Sequence, residues 1–118
     1  MTGKHVILFA GTTEGRVLAN WLDDQPGITG IVCVATEYGA ELLTEEMPLK
    51  HLKVHCGRLD EDEIEAFLKK TGTDLVIDAT HPYAQVVTAN IRKACEKYPH
   101  ICLLRCLRKE SANKTEND

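Results

Sequence analysis

HVILFAGTTEG, residues 5–15, is the stretch that decides the fold. After His5 the chain is apolar through Ala10, with no alternation, and then meets Gly11. An unbroken apolar run of this length reads as a strand buried on both faces, the mark of a parallel sheet covered by helices. Gly11-Thr12-Thr13-Glu14-Gly15 then reads as a turn that opens a helix. From Glu14 to Asp24, Val17, Leu18, Trp21 and Leu22 fall on one helical stripe and are expected to face inward. Pro26-Gly27 stops that helix.

The same pattern repeats along the chain. Ile31–Ala35 reads as a second buried strand and Glu37–Glu46 as a short helix ended by Pro48. Leu52–His55 is a short third strand. Asp60–Lys70 is a helix with Ile64, Phe67 and Leu68 inward, and Asp60 and Glu63 have the spacing of a capping box. Leu75–Ala79 is a fourth strand. Tyr83–Tyr98 is a helix with Val86, Val87, Asn90, Ile91 and Ala94 on one face, Pro82 sits in its first turn, and Ile101–Leu104 is a fifth strand. Strands alternating with helices predict right-handed β-α-β units. The expected fold is therefore α/β: a Rossmann-like, doubly wound, five-stranded parallel sheet in the order 3-2-1-4-5. Residues 1–108 form this nucleotide-binding domain. The polar stretch Lys109–Asp118 has nothing to bury and is expected to be disordered.

The 118 residues suit one domain, and 43% hydrophobic against 27% charged allows a real core. A net charge of −4 argues against a nucleic-acid surface or a polybasic membrane surface. No apolar run approaches the ~20 residues of a membrane span, and Met1–Phe9 does not read as a signal peptide. The chain is expected to be soluble and cytoplasmic. Cys33, Cys56, Cys95, Cys102 and Cys106 are odd in number and contain no C-x-x-C. Buried thiols in a reducing compartment are expected rather than disulfides. His55-Cys56 offers two adjacent ligands without partners, so no metal site is expected.

In such sheets ligands bind beyond the carboxyl ends of the strands, near the switch between strands 1 and 4. After strand 1, Gly11, Thr12, Thr13, Gly15 and Arg16 combine close backbone approach, hydroxyls, a helix N-terminus and a cation, all suited to phosphate. Glu14 would repel phosphate unless it points away, and an ordinary glycine turn capped by Thr is the competing reading. After strand 2, Thr36 and Glu37 stand where an acid takes ribose hydroxyls, about 20 residues past the glycines. Glu37 reads equally as a solvated residue at a helix start. No Lys or Arg lies between Arg16 and Lys50, which favours NADH over NADPH. After strand 3, Gly57 and Arg58 can flank an adenine or supply a cation, or simply form a turn before the Asp60 cap. After strand 4, Asp78-Ala-Thr80-His81-Pro82-Tyr83 places an acid, a hydroxyl, an imidazole and a phenol within six residues. Thr80, His81 and Tyr83 are the candidate catalytic residues. Asp78, in an apolar strand, needs hydrogen-bond partners if buried.

Gly11-Thr-Thr-Glu-Gly-Arg16, Val34-Ala-Thr-Glu-Tyr-Gly39, Gly57-Arg-Leu-Asp60 and Asp78-Ala-Thr-His-Pro-Tyr-Ala84 together resemble the precorrin-6A reductases of cobalamin biosynthesis. The Ala-Thr-Glu-Tyr-Gly form is most similar to the cobalt-precorrin-6A reductases. The resemblance runs from about Val6 to Arg105. It implies hydride transfer from NADH or NADPH to a double bond of a corrin precursor, a tetrapyrrole with many carboxylates. Arg16, Arg58, Arg105 and His81 are then candidate carboxylate contacts, and His81 or Tyr83 either donates a proton or binds a carboxylate. Family members are about twice this length, so the resemblance implies that this chain is the N-terminal half, with a C-terminal domain missing. Leu103-Leu-Arg105-Cys-Leu-Arg108 lacks the Arg-Pro pair common after that strand. Two other readings compete. One is a stand-alone dinucleotide-binding regulatory module without catalysis. The other is a flavodoxin-like or response-regulator-like signalling domain, which would carry acids where Gly-Thr-Thr stands.

Overall fold

The computed structural model describes residues 3–44 and 49–106. Pro48 and the Lys109–Asp118 tail lie outside the described residues, as does the end of the Glu37–Glu46 segment. The elements alternate throughout: β1 Lys4–Ala10, α1 Thr13–Asp23, β2 Ile28–Val34, α2 Glu37–Thr44, β3 Leu52–Cys56, α3 Glu61–Thr71, β4 Leu75–Ala79, α4 Gln85–Glu96 and β5 Cys102–Arg105. All the pairings are parallel, in the order β3-β2-β1-β4-β5. The apolar runs predict this order because a strand buried on both faces belongs in the middle.

Successive residues of β1 point to opposite faces, and each face has its own core. Val6, Leu8 and Ala10 pack with Ala19 and Leu22 of α1 and with Val32, Val34 and Ile77. Ile7 and Phe9 pack with Ile64 and Leu68 of α3 and Ile91 and Ala94 of α4. Two helices on each face make the sheet doubly wound. The α3 start is as expected: Asp60 accepts from the Glu63 N–H at 2.8 Å while Glu63 accepts from the Asp60 N–H at 2.9 Å. Gly72, in the left-handed conformation with φ 62°, ends that helix.

Two helices depart from expectation. In α1 the buried positions are Gly15, Ala19, Leu22 and Asp23, whereas Val17 is 64% and Trp21 56% exposed. The cause is close packing. A Cβ on Gly15 would lie 3.0 Å from the Ala10 Cβ and 3.1 Å from its Cα. The helix therefore presses its small residues onto the sheet and turns Trp21 outward. In α4 the first residue is Gln85, not Tyr83. Pro82 and Tyr83 form a turn closed by the Ala84 N–H donating to the His81 carbonyl at 2.9 Å. Pro82 is thus in the loop rather than in the first helical turn, and Val86 is exposed. Cys102, expected inside, is exposed because β5 is an edge strand, while Cys33 and Cys95 are buried. Burial pushes the Cys33 thiol up to about 12 and the Cys95 thiol up to about 11, so neither is nucleophilic near neutrality.

Candidate functional site

A cleft of about 690 Å³ opens at the carboxyl ends of the strands. It spans the switch between β1 and β4, where the connections leave for opposite faces of the sheet. Its size is that of a small-molecule or cofactor site.

The β1–α1 turn forms one wall, with Gly11, Thr12 and Arg16 facing the cleft. The Thr12 hydroxyl is already engaged: it donates to the Ala79 carbonyl at 3.0 Å and accepts from the Gly15 N–H at 3.1 Å. Thr12 is the N-cap of α1 and ties that helix to β4. Its hydroxyl has no second proton to give a ligand. The Arg16 guanidinium folds back to the first turn, donating to the Thr13 hydroxyl at 3.3 Å. Gly15 is buried against Ala10 and is not among the residues lining the cleft, nor is Thr13. The glycine at 15 serves helix packing, and the glycine at 11 serves the opening.

The second wall comes from the ends of β2 and β3. Thr36 caps α2, accepting from the Gly39 N–H at 3.1 Å, and lines the cleft with Tyr38 and Gly39. Glu37 is exposed and does not line it. Gly57 and Arg58 do line it. Gly57 has φ 131°, a conformation that favours glycine, and its N–H donates to the Val34 carbonyl at 2.8 Å. This turn carries Arg58 to the same cleft as Thr36. The folded chain thus brings Arg58, a candidate cation in the sequence, into the same cleft as the end of β2.

The third wall is the β4–α4 loop. Asp78 is only 2% exposed and fully engaged. Its Oδ1 accepts from the Thr80 N–H at 3.0 Å, the Thr80 hydroxyl at 2.6 Å and Arg105 Nη1 at 3.2 Å. Its Oδ2 accepts from the Thr88 hydroxyl at 2.8 Å. Arg105 also donates to the Asp78 and Thr80 carbonyls, both at 3.0 Å. The Thr80 hydroxyl proton is thereby committed to Asp78, so Thr80 shapes the loop rather than offering a proton. His81 Nδ1 accepts from the Tyr83 N–H at 3.1 Å. That bond requires Nδ1 without a proton, leaving Nε2 as the neutral ring's donor. The His81 and Tyr83 rings lie 5.0 Å apart, and Tyr83 is 85% exposed. Both line the cleft.

A sequence model described as "Precorrin-6x reductase CbiJ/CobK" matches residues 5–118. The chain belongs to the precorrin-6x reductase family. It is 38% identical over 96 residues to the cobalt-precorrin-6A reductase of Salmonella typhimurium, covering 81% of this chain and 35% of that protein. It is 36% identical over 87 residues to the same-named protein of Synechocystis sp., covering 73% and 31%. A solved structure of CobK precorrin-6A reductase superimposes with a TM-score of 0.68 at 28% identity, over 86% of this chain and 38% of that one. The chain therefore spans about a third of the length of these relatives. The four strand-end segments that carry the resemblance are also those that build or brace the cleft.

Sequence reasoning missed Thr88 and the part Arg105 plays. Asp78 and Arg105 are register partners on neighbouring strands, a relation legible only once the sheet order is known. Among the described residues no group of three or more His, Cys, Asp or Glu can hold a metal ion. Nor is any helix there long and apolar enough to cross a membrane.

Proposed function

We propose that this chain is the dinucleotide-binding half of an NAD(P)H-dependent precorrin-6A or cobalt-precorrin-6A reductase. The observation that carries this reading is the cleft over the β1–β4 switch, walled by residues from all four strand-end segments. The residues fit the cofactor. Gly11 opens the first turn, α1 presents its N-terminus, and Arg16 and Arg58 supply two cations for phosphates. A bound nicotinamide would supply the hydride. The chain's own residues bind and orient it, and the His81–Tyr83 edge borders the reacting face.

Glu37 was expected to select NADH. It stands outside the cleft lining while Arg58 stands within it, which supports NADPH, whose 2′-phosphate an arginine accommodates. The 118-residue chain by itself is proposed to reduce the macrocycle slowly. A single sheet domain offers the macrocycle an open face and leaves it loosely placed, and ~1 Å of misplacement can cost on the order of 100-fold in rate. Calorimetric titration with NADPH and NADH tests the reading: binding of both is expected, with NADPH tighter. Absence of binding by either up to millimolar ligand would overturn it, and an unchanged NADPH/NADH ratio in Arg58→Ala would remove Arg58 as selector.

A further inference from the structure

A second cavity, of about 330 Å³, is lined by Pro82, Gln85, Thr88, Ala89, Arg92 and Arg105. By the helical period, residues 85, 88, 89 and 92 lie on the face of α4 away from Val86, Val87 and Asn90, which face the main cleft. Gln85 alone lines both. The chain is acidic overall, yet these six residues include two arginines and no carboxylate.

The two arginines differ in how they are held. Arg105 makes its three bonds to Asp78 and Thr80 through Nη1 alone. Nε and Nη2, the side-on edge of the guanidinium, make none among the described residues. Asp78 itself is buried, so this edge is fixed in place before any ligand arrives. Arg92 makes no hydrogen bond or ion pair among the described residues. A pre-oriented, planar N–H fork matches the two oxygens of a carboxylate, and a second cation adds Coulomb attraction. Pro82 and Ala89 add apolar surface beside the two guanidinium groups, against which a short hydrocarbon stem can rest.

We propose that this cavity is a subsite for an aliphatic carboxylate, gripped side-on by Arg105 and by Arg92 from α4. It is distinct from the dinucleotide cleft and stands whether or not that cleft takes a nucleotide.

The test follows amide and arginine side-chain resonances of the chain during titration with glutarate, and separately with inorganic phosphate, at fixed ionic strength. Saturable shifts at Gln85, Thr88, Arg92 and Arg105 are expected, with glutarate tighter than phosphate. Arg92→Gln is expected to weaken glutarate at least fivefold with unchanged melting. Arg105→Lys, which keeps a charge but loses the fork, is expected to weaken it comparably. No shifts at these residues, equal affinity in Arg92→Gln, or tighter binding of phosphate each overturns the assignment. NADPH titration of the same proteins separates the two sites. Loss of glutarate with NADPH binding intact supports a distinct subsite, and loss of both in Arg92→Gln overturns it. Glutarate binding without any NADPH binding supports this subsite and overturns the dinucleotide reading instead.

Discussion

The two ends of the sheet use polar residues in opposite ways. At the amino ends, polar groups close on one another. Buried Asp23, the last residue of α1, accepts from the backbone N–H groups of Lys50, His51 and Leu52 at 2.7–3.0 Å, anchoring the entry to β3. Buried Thr73 bonds His5 Nδ1 and the Thr71 hydroxyl, and Asp74 exchanges hydrogen bonds with the His5 backbone. At the carboxyl ends the hydroxyls of Thr12, Thr80 and Thr88 are spent in this way, and so is Asp78. Around it Arg16, Thr36, Arg58, His81 and Tyr83 line open space. The difference teaches where stability and binding reside. Buried carboxylates satisfied by the backbone hold loops, and polar groups that face a cleft with donors to spare are available to a ligand. Asp78 belongs to both kinds, since its bonds stiffen the wall on which the site stands.

The largest expected effect falls at the amino end. Asp23→Ala strands three backbone N–H groups and should cost about 3 kcal/mol, lowering the melting temperature by on the order of 15 °C. Denaturant and thermal unfolding check this. A loss under 1 kcal/mol would break the contrast. Gly15→Val comes next. Its side chain meets Ala10 and Ala79, so α1 must shift, at about 2 kcal/mol, and the cleft turn shifts with it. Unlike Asp23→Ala, it should weaken both stability and NADPH binding. Arg58→Ala should do the reverse of Asp23→Ala: melting unchanged within about 0.5 kcal/mol, and NADPH roughly fivefold weaker, about 1 kcal/mol. The smallest effect is one of pH. Burial holds the His5 imidazole below its ordinary 6.5, against the opposing pull of Asp74. The unfolded chain then binds the proton more readily than the fold. This stability is present above 6.5 and is lost as pH falls from there toward the folded value. His5→Gln should flatten the melting-versus-pH curve in that window.

Asp23 acts in a lower window. Burial pushes its carboxyl up, but the three backbone donors and His51 outweigh burial and hold it below its ordinary 3.8. Its contribution is present above 3.8 and is lost only as pH falls through the folded value.

Much of this was legible in the sequence, for physical reasons. The central strands announce themselves as apolar runs because both faces are buried; Leu75–Ala79 is bounded as expected. The Asp60–Glu63 cap was readable because it is local. The α1 stripe misled because hydrophobicity alone places Trp21 inside, whereas the close contact at Gly15 sets the helix so that Ala19 and Leu22 face the sheet and Trp21 does not. Asp23 gave no signal, since its partners are backbone groups 27–29 residues away. At the site, strand ends pointed to Gly11, Thr36, Arg58, His81 and Tyr83. They could not show that the hydroxyls of Thr12 and Thr80 are spent on the fold itself, because hydrogen-bond commitment depends on tertiary neighbours.

On the reading proposed above, the carboxyl-end cleft receives the dinucleotide and the amino end does not. Amide shift mapping of the chain with NADPH tests it most directly. Saturable shifts are expected at Gly11, Thr12, Thr36, Gly57, Arg58, Thr80 and His81, with Asp23, His51, Thr73 and Asp74 unmoved. Saturable shifts centred on the amino-end residues, or none at the cleft up to millimolar NADPH, would contradict it.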